Sequence, residues 1–150
     1  MQKKFLPIAA FILLHLLVKA QTDNELYPID TIPKLPSFII TDPREVLKHD
    51  GELITVQGCV VRAVLKEQVK GKPVFLDMFV AFPNNILTVA IWEENQAQFL
   101  PAAAYHQKMV RVTGRAKKKT FVQPGKASQE RVTISLHNPR QITILGDCQK

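Results

Sequence analysis

From residue 53 onward apolar side chains recur at every second position, the spacing of half-buried strands. Over 53–66 the residues Ile54, Val56, Gly58 and Val60 share one face, and Gly58 and the doublet Val60-Val61 mark places for a bend or bulge. Residues 74–80 and 86–92 predict a second and a third strand, joined by the turn Phe82-Pro83-Asn84-Asn85. Residues 109–116 and 131–136 predict a fourth and a fifth, and 141–145 extends the fifth. Between the third and fourth, Ala97, Leu100 and Ala104 are spaced for one face of a helix over 93–106, which Pro101 shortens or kinks. Upstream, Asp42-Pro43-Arg44-Glu45 places a capping aspartate, a proline at the first helical position and a glutamate three residues after the cap. A short N-terminal helix ending at Gly51 follows from that signature.

The first part of the chain carries a different pattern. Lys3 and Lys4 precede an apolar run over 5–18, and Val18-Lys19-Ala20 presents an apolar and a small residue where a signal peptidase cleaves. A run of that length reaches about 21 Å as a helix, short of a ~30 Å hydrocarbon core. The expectation is a signal peptide over 1–20, removed on export to the periplasm or the medium, with no stable membrane insertion afterwards. No cysteine stands beside Ala20 to take a lipid anchor. Residues 21–36 hold Pro28, Pro33 and Pro36 without apolar periodicity and read as an extended tether, leaving 37–150 as the folded domain.

Composition narrows the function classes. A chain of 150 residues, 46% hydrophobic and 22% charged, suits one globular domain and excludes a two-domain enzyme. The formal charge of +7 is unevenly spread: residues 21–45 hold five acids against Lys34 and Arg44, whereas 46–150 holds fifteen bases against eight acids. A basic domain behind an acidic leader suits a polyanionic partner such as nucleic acid, an anionic surface or an anionic glycan.

Five strands, the first long enough to serve two sheets, with a helix between the third and fourth, make the layout of an all-β, five-stranded Greek-key OB-fold barrel. The segments KHDGELITVQG (48–58), FLD (75–77) with FPNNILTVAI (82–91), and KMVRVTG (108–114) with HNPRQI (137–142) resemble small bacterial exported OB-fold proteins of the nucleic-acid-binding type. The resemblance covers about 42–145 and implies the barrel more strongly than any named activity. It departs from that pattern at Met78-Phe79, where a glycine is expected, and in a longer, lysine-rich segment between the fourth and fifth strands.

Chemistry-bearing constellations are sparse. The serines Ser37, Ser128 and Ser135 stand in no nucleophile motif, and His49, His106 and His137 lack metal-ligand spacing, so they read as surface or capping residues. Glu93-Glu94 opens a helix, where the dipole favours negative charge. Asp77 stands nearly alone among the strands, which argues against a nuclease. No enzyme activity, metal or cofactor is expected.

Binding residues are easier to name. OB barrels hold oligonucleotides and oligosaccharides across the second and third strands, between the first-to-second and fourth-to-fifth loops. The first of these loops carries Lys66, Lys70 and Lys72; the other carries Lys117, Lys118, Lys119 and Lys126, with Arg115 and Arg131 at its roots. Stacking platforms are expected from Trp92 and Phe121, with Phe75 read as core. The leading expectation is a non-enzymatic module for an anionic polymer, best matched by single-stranded nucleic acid. The alternative is a periplasmic interaction protein that meets an envelope protein and no nucleic acid. Cys59 and Cys148, the two thiols, either form a disulfide in the exported chain or leave Cys59 as a buried free thiol.

Overall fold

The computed structural model describes residues 38–122, 125 and 127–149; the predicted signal and tether, and Lys126, lie outside them. Six strands follow in chain order: β1 (Leu53–Leu65), β2 (Val74–Met78), β3 (Leu87–Ile91), β4 (Lys108–Phe121), β5 (Gln129–Leu136) and β6 (Ile142–Asp147). They form one sheet in the order β1-β2-β3-β5-β4-β6, and a further β1–β4 pairing closes the first five into a ring. All contacts in the ring are antiparallel except β3 with β5. Closure leaves the ring without a bare edge. Ile40 covers the remaining side of β1, donating to Thr55 O and accepting from Gln57 N, each within 2.9 Å.

The interior follows from the period of two. Ile54, Val56 and Val60 of β1, Leu76 and Met78 of β2, Leu87, Val89 and Ile91 of β3, and the alternating valines and isoleucine of β4 and β5 are almost wholly buried in one cluster. At about 1.5–3 kcal/mol for each such side chain, inward parity overrides local preferences. Short 3-10 turns over Glu45–Lys48 and Ala102–Tyr105 add Val46 and Tyr105 to the core.

β1 changes partners in mid-course. Residues Leu53 to Val60 pair with β4, Val60 to Leu65 pair with β2, and the register slips at Val60/Arg62. Val61 is the extra residue of a bulge, and it inverts the parity beyond it: Val60 points inward, and then Ala63, not Arg62 or Val64, packs against the core. Two residues with positive φ secure this point. Phe79 (φ 66) donates its N–H to Cys59 O and Gln107 (φ 57) donates to Val60 O, both at 2.8 Å, while Gln107 Nε2 donates to Val61 O at 3.4 Å. Gly58 permits the arrangement, because a Cβ there would run into the Phe79 ring.

Several expectations change in detail. The helix over 93–106 is a single turn of α-helix, α1 (Glu93–Gln96), followed by the 3-10 turn, with Pro101 preceding the latter. The N-terminal helix is a 3-10 turn, and Asp42 accepts from Arg44 N at 2.9 Å rather than capping a longer helix. Residues 141–145 do not continue β5: Pro139–Gln141 make a 3-10 turn, capped by Asn138, and β6 runs back antiparallel to the first half of β4. β4 continues through the lysines to Phe121, so 117–119 is strand, not loop.

Cys59 and Cys148 are bonded, with Cα atoms 5.5 Å apart and a separation of 89 positions in sequence. Cys59 lies on the outward parity of β1, and Cys148 follows β6, its N–H on Gln107 O at 3.0 Å. Closing a loop of this size removes about 4–5 kcal/mol of unfolded-state entropy in the chain model. Reduction, or the Cys59→Ser/Cys148→Ser variant, is expected to lower the unfolding free energy by about 3–4 kcal/mol in urea titrations. Denatured but unreduced protein is expected to take up no alkylating label by intact mass.

Candidate nucleic-acid interface

Outside the ring, the faces of β1 after the bulge, β2, β3, β5 and the end of β4 enclose an open groove of about 1170 Å³. Register builds its floor as two rows that cross the strands. One runs Arg62, Asp77, Thr88, Thr133, Lys117; the other runs Val64, Phe75, Ala90, Ser135. The second row is the apolar one. Ala90 faces outward by register yet has no exposed surface.

Trp92 continues the β3 face beyond Ala90 and is held on two sides. Its Nε1 donates to Ser135 Oγ at 3.2 Å, and the backbone of Gly71 (φ +78) lies so near the ring that a Cβ there would stand 3.1 Å from Cε3. Only glycine combines that dihedral with that approach. A fixed indole in the groove that Phe75 also lines gives a preorganised apolar platform.

Asp77 organises the opposite end. Its carboxylate is almost wholly buried and accepts from Phe82 N at 3.2 Å, and from Asn85 Nδ2 and Thr88 Oγ1 at 3.1 Å. The Arg62 guanidinium stands 3.7 Å away. This network fixes the β2–β3 turn and presents Phe82, 47% exposed, at the rim. Phe82 meets Phe121 edge to face at 6.3 Å, and Arg131 lies 4.1 Å over the Phe121 ring and 5.2 Å from that of Phe82. Arg131 also donates to Pro83 O and Gln129 Oε1, so one guanidinium ties the β2–β3 turn to the β4–β5 hairpin. Burial pulls the Arg131 pKa below its ordinary value, and the charge of Asp77 opposes part of that shift.

Seven of the sequence-named residues line the groove: Lys66, Lys70, Trp92, Lys117, Lys119, Phe121 and Arg131. Three others do not. Lys72 pairs with Glu93 at 3.0 Å; Lys118 turns to the other side of β4, its Nζ 3.2 Å from Glu130 and its N–H on Asp50; Arg115 donates to Gly51 O where β4 still pairs with β1. Phe75, read as core, is a half-buried groove residue. Sequence reasoning missed Arg62, Thr88, Thr133 and His137 as lining. Their signal was strand parity, which for Arg62 required placing the bulge at Val61. Among the described residues no three His, Cys, Asp or Glu cluster as a metal site.

Asp77→Ala leaves several buried donors and Arg62 without their acceptor. The expected loss is about 3 kcal/mol of stability in urea unfolding, with about 1–2 kcal/mol for the isosteric Asp77→Asn.

No protein-family model matches the chain, and no curated protein does. Among solved structures it is similar to an aspartyl tRNA synthetase from Entamoeba histolytica, with a TM-score of 0.44 and 15% identity over 73% of this chain and 22% of that one. It is also similar to a protein described as an aspartyl-tRNA synthetase from Leishmania major Friedlin, with a TM-score of 0.45 and 13% identity over 75% and 21%. The chain thus spans about a fifth of the length of each.

Proposed function

We propose that this chain is an exported, non-enzymatic OB-fold module that binds single-stranded nucleic acid in the groove. The strand order β1-β2-β3-β5-β4-β1, with β3 and β5 parallel and a short helical link between β3 and β4, supports the Greek-key OB assignment. The observation that carries the binding reading is the content of one groove: Phe75, Phe82, Trp92 and Phe121 share it with Lys66, Lys70, Lys117 and Lys119. Bases offer π faces to such rings at about 1–3 kcal/mol each, and lysines neutralise the backbone. The disulfide and the apolar run over 5–18 support export, because such bonds persist in oxidising compartments.

Titration with a fluorescein-labelled single strand of about 12 nucleotides is expected to give a Kd in the micromolar range or tighter at about 50 mM salt. Quenching of Trp92, the one tryptophan, should accompany binding, and heparin should compete without quenching it. No anisotropy change at low salt would remove the nucleic-acid reading and favour the module as a partner for an envelope protein.

A further inference from the structure

Six cations face the groove, and their surroundings divide them. Arg62 and Arg131 are already engaged. Arg62 stands 3.7 Å from the Asp77 carboxylate and 5.9 Å from the Phe82 ring; Arg131 is spent on two aromatic rings and two oxygens. Lys66, Lys70, Lys117 and Lys119 have no acidic partner among the described residues. These four stand at two margins, Lys66 and Lys70 just after β1, Lys117 and Lys119 on the last part of β4. Between the margins lies the Phe75 and Trp92 platform.

We propose, resting on the nucleic-acid reading, that a single strand crosses the groove from the Lys66/Lys70 margin to the Lys117/Lys119 margin. Its phosphates meet those four lysines and its bases lie over Phe75 and Trp92. Arg62 and Arg131 are positioning residues that hold Phe82 and Phe121 and take no phosphate. The path passes β1, β2, β3, β5 and β4 in turn, about 19 Å at 4.7–4.9 Å per step. That length suits the lower end of the ~4–16 nucleotides that one such barrel covers. Chemistry agrees with the division. A guanidinium held over a ring is committed to that ring, whereas an ammonium on a flexible stem is a mobile point charge suited to a phosphate.

The test is the salt dependence of binding, with the full chain and fluorescein-labelled oligothymidylate between about 50 and 200 mM NaCl. Four neutralised phosphates give a slope of log K against log salt near −2.8, so affinity falls about 50-fold over that range. Each double variant, Lys66→Ala/Lys70→Ala and Lys117→Ala/Lys119→Ala, is expected to halve the slope to about −1.4, a fall of about 7-fold. Arg131→Gln, which removes a charge, is expected to weaken binding by about 10-fold with the slope still near −2.8, because a stacking wall is lost and no counterion is. A slope reduced by about 0.7 in Arg131→Gln, or left unchanged in either lysine pair, overturns this division while the nucleic-acid reading stands. Absence of binding by the unaltered chain removes that reading itself. The lysine pairs lie on the surface and keep the test decisive if Arg131→Gln does not fold.

Discussion

One extra residue, Val61, decides what the outside of this barrel presents. A strict period of two from Ile54 through Val60 would carry Arg62, Val64 and Lys66 inward, burying two charges against an apolar core at a cost of several kcal/mol each. The bulge inverts that parity at the point where β1 leaves β4 for β2. Arg62, Val64 and Lys66 thereby become one wall of the groove, and Ala63 takes the inward position. Phe79 and Gln107 accept left-handed backbone to hold it, a conformation that costs non-glycine residues about 1–3 kcal/mol and persists only where surroundings over-determine it. The disulfide leaves β1 at Cys59, two residues before the bulge, and ties it to the chain beyond β6. Covalent bond, backbone hydrogen bonds and the close packing of the Phe79 ring on Gly58 converge on one short stretch.

A second wall depends on the first only through the closed ring. β4 runs past its pairing with β1 and continues beside β5, so its outward residues Lys117, Lys119 and Phe121 meet the outward row of β5 across the same face. Alternation splits the lysine run there. Lys117 and Lys119 point into the groove and Lys118 points away to Glu130. Asp77 and Arg131 then link the end of the floor to the hairpin, one through hydrogen bonds and the other through aromatic faces. Within this network Asn85 Oδ1 and Arg131 Nε are buried without a hydrogen-bond partner.

How much of this was legible in sequence follows from which forces act locally. Periodicity located the five ring strands because core parity is expressed residue by residue. It also marked Val60-Val61 as a place for a bulge, but parity beyond a bulge depends on which residue is extra, and that is set by Phe79 and Gln107, far away in sequence. Arg62 was overlooked for that reason; Phe75, on β2 where no bulge intervenes, shares the outward parity of Asp77 and was misread as core from its apolar side chain. The helix over 93–106 had the right spacing of apolar residues, yet Pro101 and the short span between Ile91 and Lys108 leave only two single turns. Residues 141–145 looked like a continuation of β5, although Asn138-Pro139 introduces a capped turn that sends the chain back along β4. Lys72, Lys118 and Arg115 were named from charge alone, and charge does not reveal which cations the fold has already paired.

Pairing is the feature that turns a basic composition into a directed field. Elsewhere on the surface Arg111 and Arg115 donate to the neutral oxygens of Gln57 and Gly51, while five cations stand beside acids: Arg44 with Asp42, Lys48 with Glu45, Lys72 with Glu93, Lys108 with Asp147 and Lys118 with Glu130. Such pairs contribute little to stability when exposed, but they cancel each other's potential at a distance. The lysines without acidic partners among the described residues include the four that border the groove. A concave surface walled by apolar rings focuses what potential remains, so the excess positive charge is felt where a flexible polyanion would lie. The same net charge spread evenly would aid solubility and select no site. What distinguishes this face is that the four lysines without an acidic partner among the described residues stand at its margins, on either side of an aromatic floor, whereas every other described lysine is paired.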